Sequence, residues 1–530
     1  MNNKLHNNNI INLLLPCIAF SALTGFFSAI IITAFKIAAE WVIHLSGTIY
    51  SAVRANPIWL PLLVIGAAAL GIVVSIILAI SHSCKGGGIP TSVAAIRGVL
   101  SFTWFKSILL LPVSALTTFL VGLPLGTEGP CVQMGTAVGD GVVKCIGGDK
   151  HRGWRRYIMS GGASAGFSIA TASPISAIIF AMEEIHKRFS PILLSVASVA
   201  VMTAQITDRA LAAIGIGDVK FLDVPEMTAL TPELFFTPLL IGIVCGVCSI
   251  LFTRLYHLVD HLMRFALKKL SARVILPLLF ALTAIVGFFF ADALGTGHSL
   301  VTSLFTEGAA WYALILLFLI RSIGMIISNT SGATGGIFLP TLAFGAILGA
   351  MCAEIMIALG LIGHEHYAVM VMLGVTAFLG STSRIPLTAC VFAIEALGGI
   401  ENVLPLVIAT TASLLIVEAS GLEDFTDTVI EAKMHRLVKG KKALSLEIPL
   451  TVAGDSFAVG KELSDVLWPG SCVVVSFKRA RTIEGHLGLS EGDVITVHYV
   501  TYDPEATSEE LCALVGEQSP EVLRLMTPEV

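Results

Sequence analysis

Gly126-Thr127-Glu128-Gly129-Pro130 places a carboxylate between two glycines inside a run, Ile108 to Ala137, that is otherwise uncharged. At membrane depth an ionised Glu costs about 3 kcal/mol unless it meets a partner or water, so this residue must be protonated, paired, or part of a pathway. Pro130 suits the first turn of a helix, and the flanking glycines let backbone amides approach a ligand closely. Together they describe a helix N-terminus able to hold an anion, with an acid beside it.

The same grammar returns later in the chain. Gly336-Ile337-Phe338-Leu339-Pro340 lies 210 residues on, and Gly345 and Gly349 then fall on Gly135 and Gly139. Independently, Pro386 to Glu395 matches Pro174 to Glu183 at Pro, Ala, Phe, Ala and Glu with an offset of 212. Two matches at nearly one offset predict a duplicated fold. A further glycine-proline break, Gly86 to Pro90, precedes a short segment ending near Leu100. Repeats in transporters are often inverted about an axis in the membrane plane, with broken helices whose N-termini face an anionic substrate.

Composition sets the solvent. The 530 residues are 55% hydrophobic and only 13% charged, with mean hydropathy +0.87, too few charges to solvate a globular surface of this size. Apolar segments at Ile10 to Ala39, Ile58 to Ile80, Leu234 to Phe252, Val274 to Phe290, Trp311 to Ile327 and Val403 to Val417 are long enough to span or nearly span hydrocarbon. The expected class is an all-α polytopic membrane protein with two inverted repeats and broken helices. The polar start, Asn2 to Asn9, leads into a stretch too long for a signal peptide, which reads as a retained first helix.

Basic residues orient the chain. Lys144, Lys150, His151, Arg152, Arg155 and Arg156 form one basic loop, and His186, Lys187 and Arg188 follow Glu184 directly. The latter flank suggests a cytoplasmic end, as do Lys433, His435, Arg436, Lys439, Lys441 and Lys442. No basic run is long enough to suggest nucleic acid. Between the two basic clusters, Gly161 to Gly166 is a small-residue segment suited to close helix contact. The ten cysteines lie mostly singly in apolar segments and read as packing residues, so no metal and no cofactor are expected.

After Val417 the pattern changes to that of a small α+β domain. Leu446 to Val452, Cys472 to Phe477 and Val494 to Val500 read as strands between turn signals, and Glu509 to Val515 as a short helix. The expected division is a membrane domain over 1–437, with repeat halves at about 10–210 and 231–420, a linker over 438–444, a C-terminal domain over 445–518 and a disordered tail over 519–530.

In order along the chain, these motifs resemble those of the CLC chloride channels and proton-coupled chloride transporters, from roughly Ile10 to Leu437. Gly86 to Pro90 is similar to the family's GSGIP, Gly126 to Pro130 to its G(K/R)EGP, Gly336 to Pro340 to its GxFxP, and Gly161 to Glu184 to the segment ending in its inner glutamate. The resemblance implies a homodimer in a lipid bilayer, with one anion pathway per subunit. The stretch from Phe457 through Val494 also resembles a TrkA C-terminal (RCK-C-like) domain, a regulatory module that implies an unknown small ligand, or else a structural appendage.

Within that resemblance Glu128 matches the gating glutamate, whose ionised carboxylate occupies the anion position until a proton releases it. Glu184 matches the inner proton-transfer glutamate, although an acid beside three basic residues also fits a solvated helix end. Glu183 and Glu395 read as structural acids, since both halves keep them. Anion contacts are expected from the Gly87 to Ile89 segment, chiefly the amides of Gly88 and Ile89, and from those of Ile337 and Phe338, because amides bind chloride weakly enough for turnover. Three departures matter. Gly87 stands where the family commonly has a serine, Thr127 where it has a basic residue, and Phe425 or Thr426 where it has an inner tyrosine, so Thr426 offers the remaining hydroxyl.

The expectation is therefore a proton-coupled chloride antiporter of the cell (inner) membrane, with its C-terminal domain cytoplasmic. Rivals are a passive voltage- or pH-gated anion channel, a transporter of nitrate or fluoride, and a carrier of an organic or cationic solute. An enzyme is not expected, and the membrane part has no HExxH motif.

Overall fold

In the computed structural model, residues 2–100, 102–217, 221–437, 444–470, 472–480, 488–501 and 504–516 are described. Most of the expected linker, including Lys439, Lys441 and Lys442, and the expected tail over 519–530 lie outside them.

The first half of the membrane domain comprises helices α1 (Asn2–Ala55), α2 (Leu60–Ile80), α3 (Ile89–Ile96), α4 (Trp104–Val121), α5 (Glu128–Val142), α6 (Arg155–Thr171), α7 (Pro174–Phe180) and α8 (Pro191–Ala213). The second comprises α9 (Phe236–Lys269), α10 (Ala272–Phe289), α11 (His298–Thr306), α12 (Trp311–Ser331), α13 (Phe338–Ala358), α14 (Tyr367–Thr382), α15 (Pro386–Ala396), α16 (Val403–Ala419) and α17 (Phe425–Leu437). Among the described residues, eight helices are long and apolar enough to cross a bilayer. The chain is an integral membrane protein.

The remaining helices are the informative ones. Every residue of α5 is buried, as are nearly all of α6 and α14, so these helices are wrapped by protein rather than lipid. Their glycines explain how they pack. A Cβ on Gly135 would lie 2.0 Å from the Gly162 carbonyl oxygen, and one on Gly345 would lie 2.6 Å from that of Gly374. The α5–α6 and α13–α14 pairs thus use the same backbone-to-backbone contact at matched positions of the duplication.

Other local details repeat too. Ala172 and Arg384, each two residues before a helix-starting proline, both take φ of +53°, a conformation that costs a residue with a Cβ. At the centre, Gly126 and Gly336 exchange both backbone hydrogen bonds at 2.7 Å, pairing the two halves antiparallel through equivalent residues. A pairing of each motif with its own mate is what inverted repeats around a shared axis require.

The C-terminal domain is a three-stranded antiparallel sheet in the order β1 (Leu444–Thr451), β3 (Val494–Thr501), β2 (Cys472–Lys478), followed by α18 (Pro504–Val515). Ile448, Leu450, Ile495, Val497 and Tyr499 alternate onto the face covered by Leu511, Leu514 and Val515. This domain rests on the membrane domain. Phe457 packs against Trp154 and Tyr157, the Tyr157 hydroxyl bonds Asp465 and Leu467, and the Gly470 amide donates to the Arg97 carbonyl at 2.7 Å.

Candidate functional site

The three glycine-proline breaks converge. A Cβ on Gly129 would lie 2.5 Å from Gly336 Cα and 2.9 Å from Gly88 Cα, so α3, α5 and α13 begin at one point with only backbone between them. Their N-termini leave unpaired amides and partial positive charge there.

Glu128 is the acid at that point. It is 1% exposed, its Oε1 accepts the Thr127 hydroxyl at 3.0 Å, and the amides of Glu128 itself and of Leu339 lie beside the carboxylate. Leu339 is the second residue of α13, so the carboxylate of one repeat sits at the helix start of the other. Its Oε2 has no partner among the described residues. Thr127, which stands where a basic residue was expected, supplies a hydrogen bond instead of charge. A cation adds a smaller effect from farther away: the Lys36 ammonium on α1, held by the Ile169 carbonyl at 2.8 Å, acts on Glu128. The one sequence signal for Lys36 is that it is the sole cation in the apolar run Ile10 to Ala39.

Among the expected anion contacts, Ile89, Ile337 and Phe338 are buried at the starts of α3 and α13, with the Phe338 ring against Phe167 and Phe392. Gly88 differs from expectation, because its amide donates to Gln133 Oε1 at 2.8 Å. The Gln133 amide is oriented from its other end, where Nε2 donates to the Ser83 carbonyl at 2.8 Å. Gly87 belongs to the same arrangement. A Cβ there would meet Leu111 Cδ1 at 2.7 Å and Gln133 Oε1 at 2.9 Å, so the missing side chain leaves the room that Gln133 fills. Nothing in the linear sequence links positions 87 and 133.

Glu184 lies where the α7 helix relaxes into a π-helical turn over Ala181–His186, a geometry frequent at functional positions. It is 2% exposed, which removes the solvated-helix-end reading. Arg97 binds its carbonyl oxygen at 3.1 Å and that of Ile185 at 2.9 Å, while Asp424, Lys187 and Thr426 surround the carboxyl. Lys187 bridges Asp424 and Asp427 at 2.6 Å each, and Arg97 meets Asp427 at 2.7 Å. Glu184 Oε2 has no partner among the described residues. The structure therefore sets Thr426, expected as an inner gate for the anion, beside the proton-site candidate. Phe425 packs on Phe252 and Tyr256.

Glu183 and Glu395 cap helices across the repeat. Glu183 accepts the amides of Leu387 (3.0 Å) and Thr388 (2.7 Å), and Glu395 those of Ile175 (2.9 Å) and Ser176 (2.8 Å).

A family model described as Voltage gated chloride channel matches residues 66–418, which contain the three breaks, both central glutamates and the capping pair. The chain belongs to the voltage-gated chloride channel family. Relatives in this family include proteins named H(+)/Cl(-) exchange transporter ClcA. That of Citrobacter koseri is 26% identical over 444 residues, covering 82% of this chain and 92% of the relative. That of Vibrio campbellii is 26% identical over 439 residues, covering 81% and 91%. The fold is also that of solved voltage-gated chloride channel family structures. A slow cyanobacterial Cl-/H+ antiporter superposes with a TM-score of 0.71 at 22% identity, over 79% of this chain and 98% of that one. A CLC-type fluoride/proton antiporter gives 0.64 at 20%, over 77% and 96%.

Proposed function

We propose that the protein is a proton-coupled chloride antiporter, a carrier rather than an enzyme. The observation that carries this reading is the Glu128 carboxylate at the meeting point of α3, α5 and α13, with one oxygen held by Thr127 and the other unpartnered among the described residues. An ionised Glu128 is itself the anion at that point. Protonation removes the charge that favours this position, the side chain leaves, and a chloride takes its place. Glu184, buried beside Asp424, Thr426 and Lys187, delivers the proton from the side that carries the C-terminal domain. The names of the relatives, H(+)/Cl(-) exchange transporters, support the same reading.

The anion contacts are Gly87, Gly88, Ile89, Ile337 and Phe338, with Thr426 at the inner end. The membrane domain, 1–437, forms a homodimer in the cell's inner membrane, and residues 445–518 form a TrkA-C-like regulatory domain in the cytoplasm. The Gly470 amide of the C-terminal domain on Arg97, whose guanidinium holds the Glu184 carbonyl, supports a shared side for that domain and the Glu184 surroundings.

Proteoliposomes loaded with chloride test the reading. A pH gradient should shift the reversal potential and chloride efflux should drive proton uptake. A reversal potential that ignores pH identifies a passive channel, and vesicles that retain chloride identify a carrier of another solute. Gly87 with Gln133 favours one second reading, altered anion preference, and competition by nitrate and fluoride in the same vesicles decides it.

A further inference from the structure

Where α18 meets the basic loop between α5 and α6, a cavity of about 390 Å³ lies between the two domains, lined by Lys144, Arg152, Arg155, Arg156, Glu509 and Glu510 among others. Four of its side chains are cationic and come from the membrane domain. Asp140, buried beneath them, meets Lys144 at 2.8 Å and Arg155 Nε at 2.6 Å. The outward face of the guanidinium pair is met by the C-terminal domain. Glu510 Oε1 accepts Arg155 Nη1 at 2.7 Å, and its Oε2 accepts Arg156 Nη2.

That arrangement is a carboxylate seated in a two-arginine fork, and the fork offers more than a carboxylate uses. Arg156 is 6% exposed, yet its Nη1 has no partner among the described residues. A phosphate group presents three acceptor oxygens in the geometry that guanidinium forks match, one more than Glu510 supplies. The volume exceeds a single phosphate and leaves room for the group that carries it.

We infer that this interdomain cavity is a binding site for a phosphate group, for which the Glu510 carboxylate is the built-in stand-in. A phosphate-bearing ligand and the docked α18 compete for Arg155 and Arg156, so ligand binding loosens the C-terminal domain from the membrane domain. That release reaches Arg97, because the domain's Gly470 amide holds the Arg97 carbonyl while the Arg97 guanidinium holds the backbone of Glu184 and Ile185. The effect on transport rests on the proton role proposed for Glu184. The binding does not.

The test is calorimetric titration of inorganic pyrophosphate into the full chain in detergent, for the native protein, Glu510→Gln and Arg156→Gln. Saturable binding at one site per chain is expected, tightened about tenfold by Glu510→Gln and weakened about tenfold or more by Arg156→Gln, since hydrogen bonds between charged groups are at stake. If the source is a lipid headgroup, pyrophosphate does not bind. Phosphatidylglycerol nanodiscs then raise the melting temperature above phosphatidylcholine ones, and Arg156→Gln abolishes the difference. Affinity that ignores both substitutions, with no lipid difference, overturns the inference. Should Arg156→Gln not fold, Glu510→Gln decides alone: an unchanged affinity and an unchanged lipid response overturn it. Neither readout involves chloride or proton flux, so failure of the antiport reading remains distinguishable from failure of this one.

Discussion

Glu183 and Thr388, from opposite halves of the duplication, are joined side chain to side chain: Glu183 Oε2 accepts the Thr388 hydroxyl at 2.6 Å as well as its amide at 2.7 Å. Glu395 returns the contact onto Ile175 and Ser176. Each carboxylate satisfies two amides that a helix start leaves unpaired, and each carries negative charge to a positive dipole end. Hydrogen bonds to a charged group contribute about 1.5–3 kcal/mol each, so Glu183→Ala should lower stability by roughly 3 kcal/mol after solvent and relaxation take their share. Thermal unfolding in detergent should show a lower midpoint for Glu183→Ala and for Glu395→Ala, and a smaller drop for Glu183→Gln. Folded Glu183→Ala should keep pH-gated anion flux, and loss of proton coupling alone would assign Glu183 to the proton route.

Glu128 predicts a different phenotype, because its charge rather than its bonding is at issue. Glutamine keeps the shape and cannot ionise, so Glu128→Gln should mimic the protonated gate at every pH. Chloride efflux from vesicles at neutral pH should rise to its acid-pH value, and proton flux should vanish. Retained pH dependence would move the gate to another residue.

Glu184→Ala should separate the two ions. The alanine removes the buried carboxyl beside Thr426 and leaves the α3–α5–α13 meeting point intact, so proton uptake should fall to background while chloride flux persists. Proton uptake that survives the change would remove Glu184 from the route.

Much of this architecture was legible in the sequence because it is written in residues that act through the backbone. Gly126 and Gly336 pair with each other, and Gly135 and Gly345 pack on Gly162 and Gly374, so glycine spacing, with the match of Pro174 to Glu183 and Pro386 to Glu395, exposed the duplication. The strands of the C-terminal domain fall within two residues of expectation, since turn signals bound them. Helix ends were less visible. The first helix was expected over Ile10 to Ala39 and runs Asn2–Ala55, because an apolar window reports the part in hydrocarbon and not the polar turns that continue it. The short helix expected at Glu509 begins at Pro504, where a proline supplies the first turn. What stayed hidden are side chains that act at a distance: Lys36 on Glu128, Gln133 on Gly88, Thr426 on Glu184 and Glu510 on the arginine pair. Each depends on long-range packing, which no local pattern encodes.

Gln133 carries a prediction of its own. Its carbonyl oxygen occupies the Gly88 amide at 2.8 Å, so an incoming anion must displace that bond. Gln133→Ala removes the competitor and should tighten chloride binding about three- to tenfold, the worth of roughly one hydrogen bond. Gly87→Ser should act similarly, because its Cβ would push against Gln133 Oε1 while its hydroxyl offers the anion a new donor. Calorimetric titration of chloride and of nitrate into both variants checks this. Unchanged chloride affinity in Gln133→Ala would show that the Gly88 amide is not an anion contact.

The seam between the domains responds to pH within a defined window. Lys461 sits over the Phe457 ring at 3.6 Å and 5.9 Å from that of Trp154, and donates to the Phe457 carbonyl. Burial pulls its ammonium down to about 8, with Asp465 opposing the shift. An unfolded lysine titrates near 10.4. Between these values the unfolded segment binds more protons than the folded one, so stability rises with pH from about 8 to 10.4 and stays at its lower level below 8. Hydrogen exchange of β1 and β3 in the full chain should therefore slow from pH 8 to pH 10 after correction for intrinsic rates. Lys461→Met, which keeps the length of the side chain without its charge, should flatten that dependence. A wild-type profile that is already flat would mean that the cation–π contact with Phe457 cancels the cost of burial.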